Sequence, residues 1–522
     1  MLHIPTRRNR RRPAFARATS LPSDLSRGGA LAALREASCH SLKRSVLFVT
    51  PEMSDYVKVG GLGDVSAALP RALVSALDVR VLIPGYREVL AAHTDMEIVG
   101  HCPAVADVPA CDIGLAQTPD GLGVYIVLAP SLYERDGTPY GPEAGTDFVD
   151  NDIRFARLAL AAADLADGRA DPLWSADVLH VNDWQTALAP AYLAWRNSHV
   201  PSVITIHNLA YQGLFDRDSL ARIGAPDYAF QMEGVEFWGR VSFLKAGLFY
   251  ASHVTTVSAT YAREITTPEF GCGLEGLLKL RASQGRLAGI VNGIDAGWDP
   301  RSGDLLDIPF APGDWKGKRA NADAVRREFG LEVTKGPLFS VISRLVHQKG
   351  IDLVTAAADE IVANGGQVVV TGRGEETYER AVRDLAAKYP GRVACRIGFD
   401  EAEARRIFAG SDFLLMPSRF EPCGLSQMYA QRCGALPVAH RTGGLADTVA
   451  DGLTGFLFHD FSLHGFTGAL RRAFDTFASK RQLNMMRRIA MMRSFAWTES
   501  ARDYELLYLR SIGNRETRGL AA

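Results

Sequence analysis

The amino-acid sequence predicts an α/β protein of two doubly wound halves facing a central cleft, and three observations carry that prediction. Short apolar, β-branched runs alternate with stretches of helical spacing, the pattern of βα units around a parallel sheet. The cycle runs from Ser45 to about Val257 and starts afresh at Pro337. Between the two cycles, Asn292 to Pro312 is rich in Gly, Asp and Pro, the composition of a seam. The expected boundaries are a leader over 1–44, a first domain over 45–295, a second over 296–497 and a closing helix over 498–522.

The elements follow in order. Ser45-Val-Leu-Phe-Val-Thr50 is a buried strand stopped by Pro51. A glycine-bearing loop, Lys58 to Val65, leads into a helix expected over Ser66–Leu77, and Asp78–Pro84 reads as the next strand. Further strands are expected at Val124–Leu128, Val178–Val181, Ser202–Ile206 and Val254–Val257, with helices at Asp152–Leu165 and Gln185–Arg196. In the second cycle the expected strands are Pro337–Ser343, Gly366–Thr371, Arg392–Ile397, Phe413–Met416 and Leu436–Ala439. Helices are expected there at Asp352–Ala363 and Glu375–Lys388. Ligands of such sheets sit at the carboxyl ends of the strands, so the chemistry belongs in the loops that follow them.

Composition narrows the function. Of 522 residues, 47% are hydrophobic and 22% charged, which excludes disordered, collagen-like and disulfide-scaffold chains. Lys and Arg number 58 against 59 Asp and Glu, so no global basic field points to nucleic acid. Seven cysteines without a Cys-x-x-Cys pair fit a reducing, cytoplasmic setting better than a disulfide framework or a zinc site. No apolar run approaches the ~18 residues of a membrane helix. The even charge breaks only at the start, where Arg7, Arg8, Arg10, Arg11, Arg12, Arg17, Arg27, Arg35, Lys43 and Arg44 face Asp24 and Glu36 alone. Such a leader reads as a disordered extension or an upstream start, or as an organelle transit peptide.

Several loops carry candidate chemistry. Lys58-Val-Gly-Gly-Leu-Gly-Asp64 opens a helix, where glycines allow close backbone approach and the helix N-terminus attracts anions, with Lys58 adding a charge. The same residues read equally as a tight turn with no ligand, and their spacing is neither the dinucleotide fingerprint nor a P-loop. Ser343-Arg-Leu-Val-His-Gln-Lys-Gly350 sets Arg344 and Lys349 about a strand end, as a diphosphate held without metal needs, or as an ordinary pair of surface charges. In Pro417-Ser-Arg-Phe-Glu-Pro-Cys-Gly-Leu-Ser426, Glu421 can accept hydrogen bonds from sugar hydroxyls. The amides of Gly424, Leu425 and Ser426 open the following helix towards a phosphate. The bland reading is that Glu421 caps its own helix. Cys423 lacks the neighbours of a nucleophile. His180-Val-Asn-Asp-Trp-Gln185 and Thr205-Ile-His-Asn-Leu-Ala-Tyr-Gln-Gly213 combine polar groups with Trp184 and Tyr211, which suits carbohydrate. Asp150-Asn-Asp152 and Asp216-Arg-Asp218 match a bare Asp-x-Asp but follow no expected strand, so both read as solvated charge.

Taken together, these motifs resemble the bacterial glycogen synthase and plant starch synthase family. Val291-Asn-Gly-Ile-Asp295, Arg441-Thr-Gly-Gly-Leu-Ala-Asp447 and Thr454-Gly-Phe456 extend the likeness, which runs from about Val46 to Tyr508. The resemblance implies a GT-B type glycosyltransferase of two Rossmann-like domains, a retaining enzyme that passes glucose from ADP-glucose to an α-1,4-glucan, with no metal or pyridoxal phosphate. It implies Lys58, Gly61 and Asp64 beside the donor phosphates and acceptor, and Arg344 and Lys349 as a diphosphate clamp. His207, with Asp183 and Asn208 in the same loops, and Asn292 would meet the transferred glucose. Glu421 would bind its hydroxyls, with Cys423, Gly424, Leu425 and Ser426 lining that pocket.

Two departures are informative. Tyr429 stands where broader retaining transferases of this fold carry a second Glu, which matches the glycogen and starch synthases. Phe399 stands where bacterial relatives often carry Tyr, so a ring remains to stack on adenine while a hydroxyl contact is lost. The competing expectations are a transferase using UDP-glucose or a small acceptor, a pyridoxal-phosphate phosphorylase, and an inactive glucan-binding scaffold.

Overall fold

A computed structural model describes residues 43–519 except 144, 303–305 and 307, with side chains described as far as residue 513. Residues 1–42, nearly all of the Arg-rich leader, lie outside the described residues.

A nine-stranded sheet forms the first half, in the spatial order Leu287–Gly289, His253–Thr256, Ser202–Ile206, Val178–Asn182, Ser45–Val49, Asp78–Pro84, Gly123–Leu128, Cys111–Gln117, Glu97–Cys102. Ser45–Val49 pairs in parallel with Asp78–Pro84 on one side and Val178–Asn182 on the other. The chain therefore winds outward in both directions from this strand, and the crevice at its carboxyl end is a topological switch point. The second half repeats the plan with six strands, Val393–Ile397, Gln367–Gly372, Leu338–Ile342, Phe413–Met416, Leu436–His440, Phe456–Phe458, all pairs parallel. Its switch point lies between Leu338–Ile342 and Phe413–Met416. The central strands of both sheets are buried apart from half-buried Ser45, which is why they read as apolar runs rather than alternating ones.

Helices α1 (Gly61–Leu73), α2 (Ala259–Glu264), α3 (Ser426–Arg432), α4 (Gly443–Thr448) and α5 (Trp497–Gly519) shape the site or close the back of the molecule. Trp497, Ala501, Tyr504, Leu507, Tyr508 and Ile512 of α5 belong to the same apolar core as the first sheet. The Tyr508 hydroxyl meets His180 Nδ1 at 2.7 Å, and His180 Nε2 meets Thr205 Oγ1 at 2.7 Å. Burial pushes the His180 pKa down to about 3, so this ring is neutral and structural.

Three expectations need correction. Helix α1 begins at Gly61, not Ser66, so Gly61 and Gly63 are helical residues. Low glycine propensity argues for the later start, and a buried carboxylate described below overrides it. The Asp150/Asp152 pair is not solvated: Asp152 is 1% exposed and ion-paired to Arg222 at 2.7 Å, while Asp150 holds Arg135 at 2.6 Å. Only Asp216 and Asp218 are exposed, and Asp216 follows the two-residue strand Leu214–Phe215. The antiparallel pair Glu97–Cys102 and Cys111–Gln117 was not expected, because Gly100 and Gly114 interrupt its apolar pattern. A Cβ on Gly100 would stand 1.5 Å from the Ala170 carbonyl oxygen, so close backbone approach fixes glycine there.

Candidate active site

The carboxyl end of Ser45–Val49 runs into Glu52, whose side chain is buried. Its Oε2 accepts the backbone N–H groups of Val59 at 2.6 Å and Gly60 at 3.0 Å, and its Oε1 accepts the Tyr140 hydroxyl at 2.8 Å. Negative charge beside these amides stabilises the start of α1 at Gly61. A Cβ on Gly63 would lie 3.3 Å from Glu52 Oε2 and 3.2 Å from the Lys58 stem, so glycine leaves room for both. Lys58 Nζ pairs with Asp64 at 2.7 Å and stands 4.0 Å from Glu401 of the second half. Sequence reasoning missed Glu52. The available signal was its place three residues beyond the end of a buried strand at the switch point.

The neighbouring strand ends in Asn182 and Asp183. Asp183 adopts a left-handed backbone (φ +54°), which is uncommon outside glycine and concentrates at functional sites. Its Oδ1 accepts the His207 backbone N–H at 2.7 Å, and burial pushes its carboxyl pKa up to about 7. The Asn182 amide donates to the Val49 carbonyl at 3.0 Å, which turns its Oδ1 towards His207 Nε2 at 2.9 Å. His207 therefore carries its proton on Nε2. Burial lowers its pKa to about 3, which leaves the ring neutral, with no partner for Nδ1 among the described residues. Asn208 Oδ1 accepts the Ala210 N–H at 3.1 Å and shapes the same loop.

In the second half, Lys349 Nζ and Glu421 Oε2 form an ion pair at 2.6 Å, and the Ser418 hydroxyl donates to the same oxygen at 2.9 Å. Glu421 is thus buried and paired, and it does not cap α3. The two loops that carry this pair pack backbone on backbone. A Cβ on Gly350 (φ +66°) would stand 1.8 Å from the Pro417 carbonyl oxygen. Arg419 fastens the same loops through Asp352 at 2.8 Å. Arg344, by contrast, is exposed, with the Tyr211 hydroxyl of the first half 3.4 Å from its Nη1.

Behind Glu421 lies the start of α4. The Gly444 N–H donates to the Glu421 carbonyl at 3.0 Å, and a Cβ on Gly443 would stand 1.9 Å from that same oxygen. The first half grips this helix reciprocally. Glu264 of α2 accepts the Gly443 N–H at 3.0 Å and the Thr442 hydroxyl at 3.0 Å. Asp447 of α4 accepts the Thr260 N–H at 2.9 Å and its hydroxyl at 2.6 Å. Cys423 is buried, its thiol pKa pushed up to about 12 by that burial, and its sulfur faces the Asn292 backbone N–H. The Asn292 side-chain Oδ1 is buried with no hydrogen-bond partner, an acceptor waiting for a donor.

The structure brings most of the expected residues into three groups. Lys58 joins Asp64, with Gly61 facing Leu425 across the cleft at 3.8 Å from an added Cβ to Leu425 Cδ1. Asp183, His207 and Asn208 share one corner, while Lys349, Glu421, Cys423 and Asn292 share another, with Gly424, Leu425 and Ser426 leading into α3. Phe399 stands apart, 67% exposed on the loop after the edge strand Val393–Ile397. Among the described residues no group of three His, Cys, Asp or Glu side chains could hold a metal ion, and no helix is long and apolar enough to cross a membrane.

Residues 45–280 match the family described as "Starch synthase catalytic domain", and residues 324–485 match "Glycosyl transferases group 1". The chain is 62% identical over 456 residues to glycogen synthase 1 of Bradyrhizobium diazoefficiens, covering 87% of this chain and 99% of the relative. It is 56% identical over 466 residues to glycogen synthase of Pseudomonas putida, with 89% and 90% covered. Among solved structures, the catalytic domain of starch synthase IV from Arabidopsis thaliana, bound to ADP and acarbose, superposes with a TM-score of 0.80 at 31% identity. That likeness covers 91% of this chain and 100% of the other. A sucrose-phosphate synthase from Thermosynechococcus elongatus, at 17% identity and TM-score 0.56, shares the fold.

Proposed function

The chain belongs to the bacterial glycogen synthase and starch synthase family, and from that premise we propose how its cleft transfers glucose. It is a glycosyltransferase of glycogen synthesis that extends an α-1,4-glucan with glucose from ADP-glucose, releasing ADP. The observation that carries the assignment of roles is the ion pair of half-buried Lys349 with buried Glu421 at the second switch point, with Arg344 exposed beside it and reaching the first half through Tyr211.

In this reading residues 45–295 form the acceptor side, 296–497 the donor side, and the closing helix, as far as it is described, returns to the first half. Arg344 and Lys349 hold the ADP diphosphate, and Glu421 accepts hydrogen bonds from the glucose hydroxyls. Breaking the anomeric C–O bond builds positive charge on the sugar and negative charge on ADP. Arginine, lysine and helix N-termini fixed in place beforehand stabilise that leaving charge without a metal ion or other cofactor. The neutral His207 suits a contact to a hydroxyl rather than to phosphate. The orphaned Asn292 Oδ1 suits a hydroxyl donor of the same sugar. Lys58, Asp64 and Gly61 at the start of α1 cover the donor from the first half, and Phe399 offers a ring face at the rim for adenine. Attack by the acceptor 4-hydroxyl from the face that ADP leaves retains configuration with no covalent adduct. The free cysteines fit a reducing cytoplasm.

The test compares ADP-glucose with UDP-glucose as donor to glycogen and reads the new linkage by proton NMR. ADP-glucose preferred by about tenfold or more in kcat/KM, with an α-1,4 product, is the expected result. UDP-glucose preference, or a small acceptor used in place of glycogen, would overturn it.

A further inference from the structure

The strands Glu236–Phe237 and Arg240–Ser242 form a hairpin whose two-residue tip is Trp238-Gly239. Both tip residues have positive φ, +52° for Trp238 and +80° for Gly239. Positive φ at both central positions is the demand of the type I′ turn, which selects Asn-Gly or Asp-Gly. A tryptophan there works against local preference, since bulky residues are outliers in the left-handed region. Nor does burial offset that strain, because Trp238 is 84% exposed. An aromatic held in an unfavourable backbone, meeting the adjacent Phe237 ring edge-on at 6.3 Å between centroids yet left largely exposed, points to a ligand.

Its surroundings say which ligand. Tyr211, Tyr228 and Met232, exposed by 52%, 64% and 78%, lie on the same excursion of the chain between Ser202–Ile206 and His253–Thr256. The Trp238 tip is tied to the cleft wall by short steps. A Cβ on Gly273 would lie 3.0 Å from the Phe237 ring and 3.4 Å from Trp238 Nε1. The carbonyl of the preceding Cys272 accepts the Gln212 amide at 2.9 Å, and Gln212 adjoins Tyr211, which reaches Arg344. Exposed rings continuous with a sugar-transfer cleft suit the flat apolar faces of glucose units.

We propose that Trp238, with Tyr211 nearer the cleft, is a stacking subsite for the α-glucan acceptor chain outside the reaction centre. This inference rests on the reading of the cleft as a glucan-extending site. Trp238→Asn gives the turn its preferred residue, so the variant melts at or above the native temperature. With it, KM for maltohexaose rises about three- to tenfold, the gain expected of one aromatic contact. Retardation in glycogen-containing native gels falls by a similar factor, and KM for ADP-glucose stays within about twofold. Trp238→Tyr, which keeps a ring, retains most of the acceptor affinity. Unchanged acceptor KM and gel retardation in Trp238→Asn would overturn the subsite, as would a parallel rise in both KM values. A change of oligomeric state with acceptor KM intact would overturn it too, assigning the ring to a second copy of the chain. A native chain inactive with ADP-glucose, yet losing glycogen retardation in Trp238→Asn, would overturn the functional reading and keep the subsite.

Discussion

Asp183 shows how much a single residue can set. Its backbone is left-handed, its Oδ1 fixes the His207 amide, and its carboxyl titrates near neutrality because burial disfavours the charge. The folded pKa of about 7 exceeds the ordinary Asp value of 3.8, so the folded state binds the extra proton between them. Stability from this group therefore declines as pH rises from about 4 to about 7, then levels off. Asp183→Asn keeps an acceptor oxygen for His207 and removes the titration. Thermal melts should show no difference from the native chain near pH 4 and a growing advantage for the variant up to pH 7. A constant offset at every pH would contradict this. The half-buried His207 and the buried His180, both neutral, act in the opposite sense, losing stability as pH falls below 6.5. At this scale the sequence located Asp183, His207, Lys349 and Glu421 through their places at strand ends. It could not reveal that Lys349 and Glu421 touch, because 72 residues separate them and only the packing of two loops joins them.

Helices α2 and α4 are short, and each is capped by the other. Glu264 supplies acceptors to the start of α4, and Asp447 supplies them to the start of α2. Ordinary caps are local and contribute about 1 kcal/mol each. These come from opposite halves, so the cap is also a joint, and α4 rests directly on the backbone of Glu421. Glu264→Ala leaves the Gly443 N–H and the Thr442 hydroxyl without their acceptor. A loss of about 1.5–3 kcal/mol follows for charge-assisted bonds, with kcat/KM for ADP-glucose falling about tenfold or more. Glu264→Gln, which keeps one oxygen, should recover most of it. A native kcat/KM in Glu264→Ala would show that the joint does not position Glu421 for the reaction. The Arg441–Asp447 motif was visible in the sequence as strand, glycine and helix. Its partner was not, since Glu264 lies 179 residues away in a helix with no glycine signature. Glu52 escaped notice for a related reason: an acidic residue after Pro51 looks like any loop carboxylate until its two backbone donors are seen.

For the molecule as a whole, the doubly wound plan was readable because buried parallel strands write themselves as apolar runs punctuated by glycine. What escaped were the elements that break that grammar. The antiparallel pair at the sheet edge carries glycines, and the small sheet of Leu214–Phe215, Arg240–Ser242 and Glu236–Phe237 has strands too short for periodicity to show. Both halves present their switch points to one cleft, and contacts cross it at Lys58–Glu401, Tyr211–Arg344, Glu264–Gly443 and Asp447–Thr260. In the function proposed above, glucose transfer from ADP-glucose depends on the Lys349–Glu421 pair at that meeting point. The decisive comparison is incorporation of glucose from ADP-glucose into glycogen by the native chain and by Glu421→Gln, which keeps shape and one acceptor for Lys349. Strong incorporation by the native chain is expected, with a loss of about a hundredfold or more in a variant that still melts cooperatively. Native-like turnover by Glu421→Gln, or none by the native chain, would contradict it.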